Sequence, residues 1–176
     1  MSDHAKSEAQ VQDRLWDEIR KSRYGMLGLV GASPGSHFQP MTAFCEPENS
    51  QIWFFTRSDT DLARATVSGA DAMFVVQAKD QAFQGCVGGR LLEQRDAERI
   101  ERYWNPIVAA WYPGGKDDPL LTLLRFDLRD AQVWLSESNP VRFFWEIAKA
   151  NLTHDEPDVG TTRELNLGAV PGVDRA

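Results

Sequence analysis

Trp104 to Phe126 reads Trp-Asn-Pro-Ile-Val-Ala-Ala-Trp-Tyr-Pro-Gly-Gly-Lys-Asp-Asp-Pro-Leu-Leu-Thr-Leu-Leu-Arg-Phe, and it joins two predicted elements. Asn105-Pro106 is typical of a helix start, because Asn caps free N–H groups and Pro fits the first helical position. Pro113-Gly114-Gly115 then ends this short helix, since Pro cannot continue it and Gly tolerates positive φ. We expect a connection that carries large aromatic side chains and leads into a buried strand from Leu120.

The composition is that of a single domain with a tail. The chain has 176 residues, enough for a sizeable core, and a net charge of −7. This acidic balance argues against nucleic acids and anionic membranes as general partners, because both need a basic face. We predict a domain over residues 1–152 and a polar C-terminal tail over 153–176.

The sequence predicts a cytoplasmic protein without a resident metal. The first ten residues are polar and contain no apolar signal segment. Cys45 and Cys86 lack metal-type spacing, so we expect reduced thiols. His4, His37 and His154 form no catalytic pattern, and the catalytic residues therefore stay unassigned.

Periodicity and turn residues divide the first half of the chain into one helix and three strands. A capping box at Ser7–Gln10 precedes apolar residues at helical spacing, which predicts a helix over Glu8–Ser22. Short turns containing Ser, Pro, Gly and Asn separate the three segments that follow. We predict an antiparallel meander of the strands Tyr24–Val30, Phe38–Phe44 and Gln51–Thr56.

The second half mixes helices with further strands. Two helices are predicted, over Asp61–Ser68 and Asp96–Trp104, and four strands, over Ala72–Gln77, Gln84–Leu92, Leu120–Leu128 and Ala131–Leu135, the last two as a hairpin. Glycines at 85, 88 and 89 predict a bulge or a close approach within one strand. Asn139-Pro140 starts a last helix, whose predicted buried side is Val141, Phe144, Trp145 and Ala148. Strands that outnumber helices indicate an α+β protein built on an antiparallel barrel.

The corner after the aromatic strand could bind an anion. Thr56, Arg57, Ser58 and Thr60 bring hydroxyls and a cation to the start of a predicted helix, and Arg64 follows one turn later. The alternative interpretation is an ordinary helix start with solvated arginines. The residues alone leave both open.

The stretch from Trp104 to Pro119 resembles the Trp-Asn-Pro…Ala-Trp-Tyr/Phe-Pro…Asp-Asp-Pro signature of bacterial general stress proteins. These belong to the pyridoxamine 5'-phosphate oxidase-like, FMN-binding split-barrel superfamily. The resemblance extends over about Val11 to Leu167. It implies a six-stranded antiparallel split β-barrel with flanking helices, and a homodimer that binds FMN between its subunits. It also implies oxidoreductase activity on an unidentified small molecule.

The resemblance assigns candidate flavin-binding residues. Phe54-Phe55-Thr56 matches the strand that ends at the flavin phosphate, and Gln39-Pro40-Met41 matches the Arg-Pro-Met segment beside the flavin. The predicted cofactor-binding residues are Gln39, Met41, Phe55, Thr56, Arg57, Thr60, Gln84 and Trp111.

Two positions depart from the pattern of the family. Gln39 stands where the family has a phosphate-binding arginine, and Leu62 stands where it has a basic residue. Each lost charge-assisted bond costs roughly 1.5–3 kcal/mol. The alternative function is therefore a non-catalytic split-barrel protein, for ligand binding or stress-related interactions, that has lost the flavin.

Overall fold

The computed structural model describes residues 7–31, 36–136, 140–153 and 160–168. These ranges contain five α-helices and eight β-strands. The helices are α1 (Glu8–Ser22), α2 (Asp61–Ala65), α3 (Ala97–Tyr103), α4 (Pro106–Ala109) and α5 (Pro140–Thr153). The strands are β1 (Tyr24–Leu29), β2 (Gln39–Thr42), β3 (Phe44–Glu46), β4 (Gln51–Arg57), β5 (Ala70–Gln77), β6 (Phe83–Glu93), β7 (Leu121–Ser136) and β8 (Gly160–Asn166).

The strands form one antiparallel sheet that closes into a barrel. Its order is β2-β1-β5-β6-β7-β4-β3, with β8 added on β7. The two ends of this order, β2 and β3, are consecutive pieces of one segment and are interrupted only at Ala43, whose N–H bonds to the Arg23 carbonyl at 2.8 Å. Counted as one bent strand, they give the six strands predicted for the barrel. The α+β split-barrel fold is confirmed, and the single strand predicted over Phe38–Phe44 is two strands.

The predicted hairpin in the second half is wrong, because β7 is one strand of 16 residues. Its first part pairs with β4, its second part pairs with β8, and β6 pairs along most of its length. The register of β6 against β7 shifts between Gly88 and Gly89. A Cβ atom on Gly89 would lie 2.3 Å from the Asp127 carbonyl oxygen. The unpaired residue is Arg129 of β7, so a bulge in β7 stands where the turn was predicted, and Gly89 of β6 provides the predicted close approach.

Two apolar clusters hold the helices on the barrel. The larger fills the barrel and includes the buried face of α1, namely Val11, Leu15, Trp16 and Ile19. The capping box predicted for α1 is present, since the Ser7 and Gln10 side chains each bond the other residue's N–H. The smaller cluster lies on the other face of β4, under α3 and α4, and contains Trp53, Ile100, Val108, Tyr112, Leu121 and Leu123.

The C-terminal elements differ from the prediction. On α5 the side chains of Phe144, Trp145 and Ala148 are exposed, whereas the side chain of Val141 lies outside the described residues. Helical spacing shows which residues share a face but not whether the same chain covers it. Within the predicted polar tail, β8 pairs with β7 and buries Leu165. The domain boundary itself stays a prediction. No described helix has the length and apolar character needed to cross a lipid bilayer.

Candidate functional site

The aromatic connection packs on the outer face of β4. The ring centroids of Trp104 and Phe55 are 6.3 Å apart, and those of Trp104 and Tyr112 are 6.2 Å apart. Tyr112 is buried, and burial raises its pKa to about 12. Trp111, in contrast, is 74% exposed, because it follows the short α4 on the side away from β4. Within this chain Trp111 is therefore not a core residue.

The carboxylate of Glu46 anchors α3 to the barrel edge. Glu46 is 1% exposed and accepts hydrogen bonds from Arg99 Nη2 at 3.1 Å, Arg102 Nη1 at 3.3 Å and Tyr103 Oη at 2.9 Å. Arg99 also stacks on Trp53, with Cζ 4.6 Å from a ring centroid. With the amide of Asn49, which donates to Glu46 Oε2 at 3.0 Å, four separate side chains meet this one buried acid.

The pKa values of this network follow from burial and hydrogen bonding. Burial alone would raise the pKa of Glu46, but the hydrogen bonds from Asn49, Tyr103 and Arg99 outweigh it and lower the pKa overall. For Tyr103, burial and the bond to Glu46 both act in one direction and raise its pKa to about 12. Glu46 is therefore ionised and Tyr103 is neutral around pH 7.

Arg95 fixes the end of the aromatic connection. Its Nη1 donates to the carbonyls of Asp118 at 3.0 Å and Leu121 at 2.7 Å, and its Nη2 donates to the Lys116 carbonyl at 3.2 Å. The Asp118 carboxylate accepts from the N–H groups of Gly114 and Leu120. The connection therefore enters β7 in a defined conformation, next to the end of β4.

The predicted anion corner, residues Thr56 to Thr60, lies at this end of β4. Thr56 Oγ1 is 3.4 Å from Thr60 Oγ1. Thr60 caps α2 by accepting from the Ala63 N–H at 3.2 Å and donates its own proton to the Arg57 carbonyl at 2.8 Å. Because the proton of Thr60 is already used, Thr56 is the donor of this long 3.4 Å contact, and a ligand oxygen at a shorter distance can replace Thr60 as its acceptor.

The cations of the anion corner are already paired. Arg57 forms two hydrogen bonds to Asp59, Nε to Oδ1 at 3.0 Å and Nη2 to Oδ2 at 2.7 Å. This bonding raises the pKa of Arg57 and lowers the pKa of Asp59. Arg64 lies 3.3 Å from Asp61 on the exposed side of α2. The two acids therefore offset the two arginines that could have compensated for Gln39 and Leu62.

The inner side of the anion corner is apolar and acidic rather than basic. Leu62 is 6% exposed and belongs to the barrel core. Thr122 lies directly opposite Thr56 in the β4–β7 register, and its hydroxyl donates to the Glu93 carboxylate. Sequence reasoning missed Glu93, because only the sheet register brings β6 and β7 together beside β4.

Alternation along the strands places the other predicted residues on different faces. Thr56 alternates with the buried core residue Phe54 and so faces inward, as does Gln39, which pairs with Leu27 of β1. Met41 packs partly against the same core. Phe55 and Arg57 face outward. Among the described residues no hydrogen bond joins Gln39 to the anion corner, so its predicted role is not built into this chain by contacts.

Gln84 belongs to the opposite end of the sheet. It pairs with Trp134 of β7, twelve residues along the strand from Thr122, and its amide donates to the Gln81 carbonyl at 2.7 Å. Twelve residues correspond to about 40 Å of strand contour. Gln84 also alternates with the core residue Phe83 and so faces outward, whereas Thr56 faces inward, so the two residues of one chain lie at opposite ends of β7 and on opposite faces of the sheet.

Comparison with known proteins identifies the family. Residues 10–158 match the model of the family described as pyridoxamine 5'-phosphate oxidase like. The chain belongs to this family. No curated protein matches the chain.

Solved structures of pyridoxamine 5'-phosphate oxidase-like proteins share the barrel. A protein of Jannaschia sp. CCS1 described as general stress protein 26 is 31% identical, with a TM-score of 0.73 over 90% of this chain and 99% of that one. A general stress FMN/FAD binding protein of Xanthomonas citri is 40% identical, with a TM-score of 0.69 over 74% of this chain and 92% of that one. A general stress family protein of Xanthomonas campestris is also 40% identical, with a TM-score of 0.70 over 77% and 93%. The predicted resemblance to general stress proteins of this superfamily is confirmed.

Proposed function

We propose that this protein binds a flavin, with FMN as the first candidate, and transfers electrons between it and an unidentified small molecule. The observation that carries the proposal is the hydroxyl of Thr56 at the end of the aromatic strand β4, beside the arginine-bearing turn, where only a long 3.4 Å contact to Thr60 holds it. The 40% identity to a protein described as FMN/FAD binding supports it. A flavin, when bound, would supply the redox chemistry.

The residues at the anion corner fit a flavin phosphate mainly through neutral hydrogen-bond donors, because the nearby cations are already paired with acids. Thr56 and Gln39 offer a hydroxyl and an amide to a phosphate, and Arg57 offers a guanidinium that Asp59 already holds. Trp111 and the aromatic cluster around Phe55 offer apolar surface near the anion corner. The protein would bind and orient the flavin and shield one face of it from water.

Gln39→Arg should strengthen FMN binding roughly tenfold, because it adds a charge-assisted bond to the phosphate. Flavin fluorescence during titration measures both affinities. Asn151→Arg, which adds the same charge on the exposed side of α5, is the matched control and should leave the affinity unchanged. An equal gain in both variants would mean that only the net charge acts, and that Gln39 does not face the phosphate.

We also propose that the protein functions as a homodimer. The outer face of the sheet keeps several large apolar side chains exposed: Tyr24 at 59%, Met26 at 40%, Met73 at 39% and Trp134 at 39%. Several large apolar side chains exposed on one face of a sheet are typical of an interface. Because Gln84 lies twelve strand residues from the anion corner of its own chain, a contact of Gln84 with a flavin held there is proposed to come from the second copy.

Met73→Asp should convert the dimer into a monomer, because Met73 lies between Gly28 and Gly88 in the middle of this outer face and a buried unpaired charge is costly. Sedimentation at micromolar concentration measures the change. Val67→Asp is the control, since Val67 is 65% exposed in the turn after α2 and lies off the sheet. A parent protein that sediments as a monomer would contradict the proposal.

The second candidate function is a non-catalytic split-barrel protein without flavin. The pairing of Arg57 and Arg64 with acids and the burial of Leu62 favour it. The visible absorbance of the freshly purified protein distinguishes the two functions, because an oxidised flavin is yellow. Protein that is colourless, and that still fails to bind FMN at millimolar concentration, would support the second candidate.

The cytoplasmic location stays a proposal. It is supported by the two free thiols, Cys45 and Cys86, which form no disulfide. Burial raises the pKa of Cys45 to about 11, so this thiol is unreactive near neutral pH.

A further inference from the structure

We propose that Asp59 determines the ligand preference of the anion corner, so that flavins with and without a phosphate bind with similar affinity. The inference rests on the proposed flavin site. The inference adds two points to that site. It names Asp59 as the residue that removes the preference for a phosphate, and it names flavins with or without a phosphate as the ligands that are then accepted.

The first support is the geometry of the ion pair. Asp59 Oδ1 lies 3.0 Å from Arg57 Nε, and Asp59 Oδ2 lies 2.7 Å from Arg57 Nη2. This two-point arrangement is the one in which a guanidinium also binds phosphate. A phosphate and the Asp59 carboxylate therefore compete for the same face of Arg57.

The second support is that the backbone holds the two partners together. The Thr60 N–H and the Thr60 hydroxyl both donate to the Arg57 carbonyl, at 3.2 Å and 2.8 Å, and close a turn with Asp59 inside it. The Ser58 N–H bonds to the Leu120 carbonyl at 2.8 Å, which ties this turn to the aromatic connection. The turn thus keeps the Asp59 carboxylate close to the Arg57 guanidinium.

The third support is the charge around the pair. Asp61 offsets Arg64 at 3.3 Å, and Leu62 brings no cation. Behind Thr122, Glu93 adds a further carboxylate. A phosphate at the anion corner therefore meets no net positive charge. The uncharged ring of a flavin binds without such a charge. The phosphate adds little to the affinity as long as Asp59 keeps its charge.

Titration of riboflavin and FMN into the parent and into Asp59→Asn tests this inference. The parent should bind both within about threefold. Asp59→Asn removes the competitor and its repulsion toward the dianion, and should strengthen FMN binding roughly tenfold without changing riboflavin binding. Glu48→Gln is the matched control: it removes the same charge from an exposed carboxylate in the turn Pro47–Asn49, at the end of β4 opposite to Thr56, so the ratio of the two affinities should stay near that of the parent.

In the double variant Arg57→Gln with Asp59→Asn, the gain in FMN affinity should disappear, because the phosphate then has no guanidinium to bind. Asp59→Ser serves as a second neutral replacement, and thermal melting verifies that each variant is folded. A parent that already prefers FMN tenfold, an unchanged ratio in Asp59→Asn, or a gain that persists in the double variant would overturn the role of Asp59. If neither flavin binds the parent or any variant, the proposed function itself fails. If riboflavin binds but the ratio of the FMN and riboflavin affinities is the same in the parent and in Asp59→Asn, only the role of Asp59 fails.

Discussion

Glu46→Ala should lower the free energy of unfolding by about 3–5 kcal/mol, the cost of removing one partner from a buried charged network. The carboxylate is 1% exposed and receives bonds from Asn49, Arg99, Arg102 and Tyr103. Without it the Arg99 guanidinium, which is stacked on Trp53, loses its interaction with β3. Glu46 thus supplies the polar part of the contact between α3 and the barrel edge, beside the apolar contacts of Ile100.

Urea denaturation measures this loss, and Glu48→Ala is the control, because Glu48 is exposed two residues away. The acid dependence gives a second readout. Since the folded state lowers the pKa of Glu46, its stabilisation is complete above the unfolded carboxyl pKa of about 4.3 and is lost as the pH falls through the lower folded pKa. The variant should lose less stability than the parent over that acid range. Equal acid dependence of the two proteins would show that Glu46 is not ionised in the folded state.

Trp104→Ala should lower the free energy of unfolding by about 3 kcal/mol, at the lower end of the range for large aromatic residues, because Trp104 is only half-buried. Its ring packs between Phe55 and Tyr112, and its loss leaves a cavity beside the outer face of β4. Denaturation curves of Trp104→Ala and Trp111→Ala form a matched pair, since Trp111 is 74% exposed in the same connection. Trp111→Ala should change the stability by less than about 0.5 kcal/mol. An equal loss in the two variants would mean that Trp111 is covered in the assembled protein.

Local signals predicted local structure well. The capping box and the apolar spacing gave α1 its observed bounds, and Asn105 caps α4 by accepting from the N–H groups of Ile107 and Val108. The glycines of β6 indicated the bulge against β7. In each case the determining interaction lies within a few residues of the signal or in the backbone itself.

The sequence did not predict features that depend on distant partners. Asp59 could be read as a helix-start residue as easily as a partner of Arg57, and side-chain geometry decides between them. Glu46 meets Arg99 across 53 residues of chain, a distance that no periodicity spans. The bend of β7 needs the register of β6, without which Arg129 and Asp130 resemble an ordinary turn. Leu62 was compared with a basic site residue, and only the packing of α2 shows that it belongs to the core.

The barrel closes through the continuous segment β2–β3, so it can open only where other strands separate. The strands β1 to β4 and β5 to β8 are two sequence-local halves, which meet along β1–β5 and along β4–β7. The first junction pairs only Met26–Leu29 with Ala72–Val75, whereas the second uses the whole of β4. Amide protons along β1–β5 should therefore exchange with solvent by a smaller fluctuation than those along β4–β7. In the isolated subunit, local opening then begins on the side that carries Met26 and Met73 rather than at the end of β4 with Thr56, and a second copy on that face would close the weaker junction.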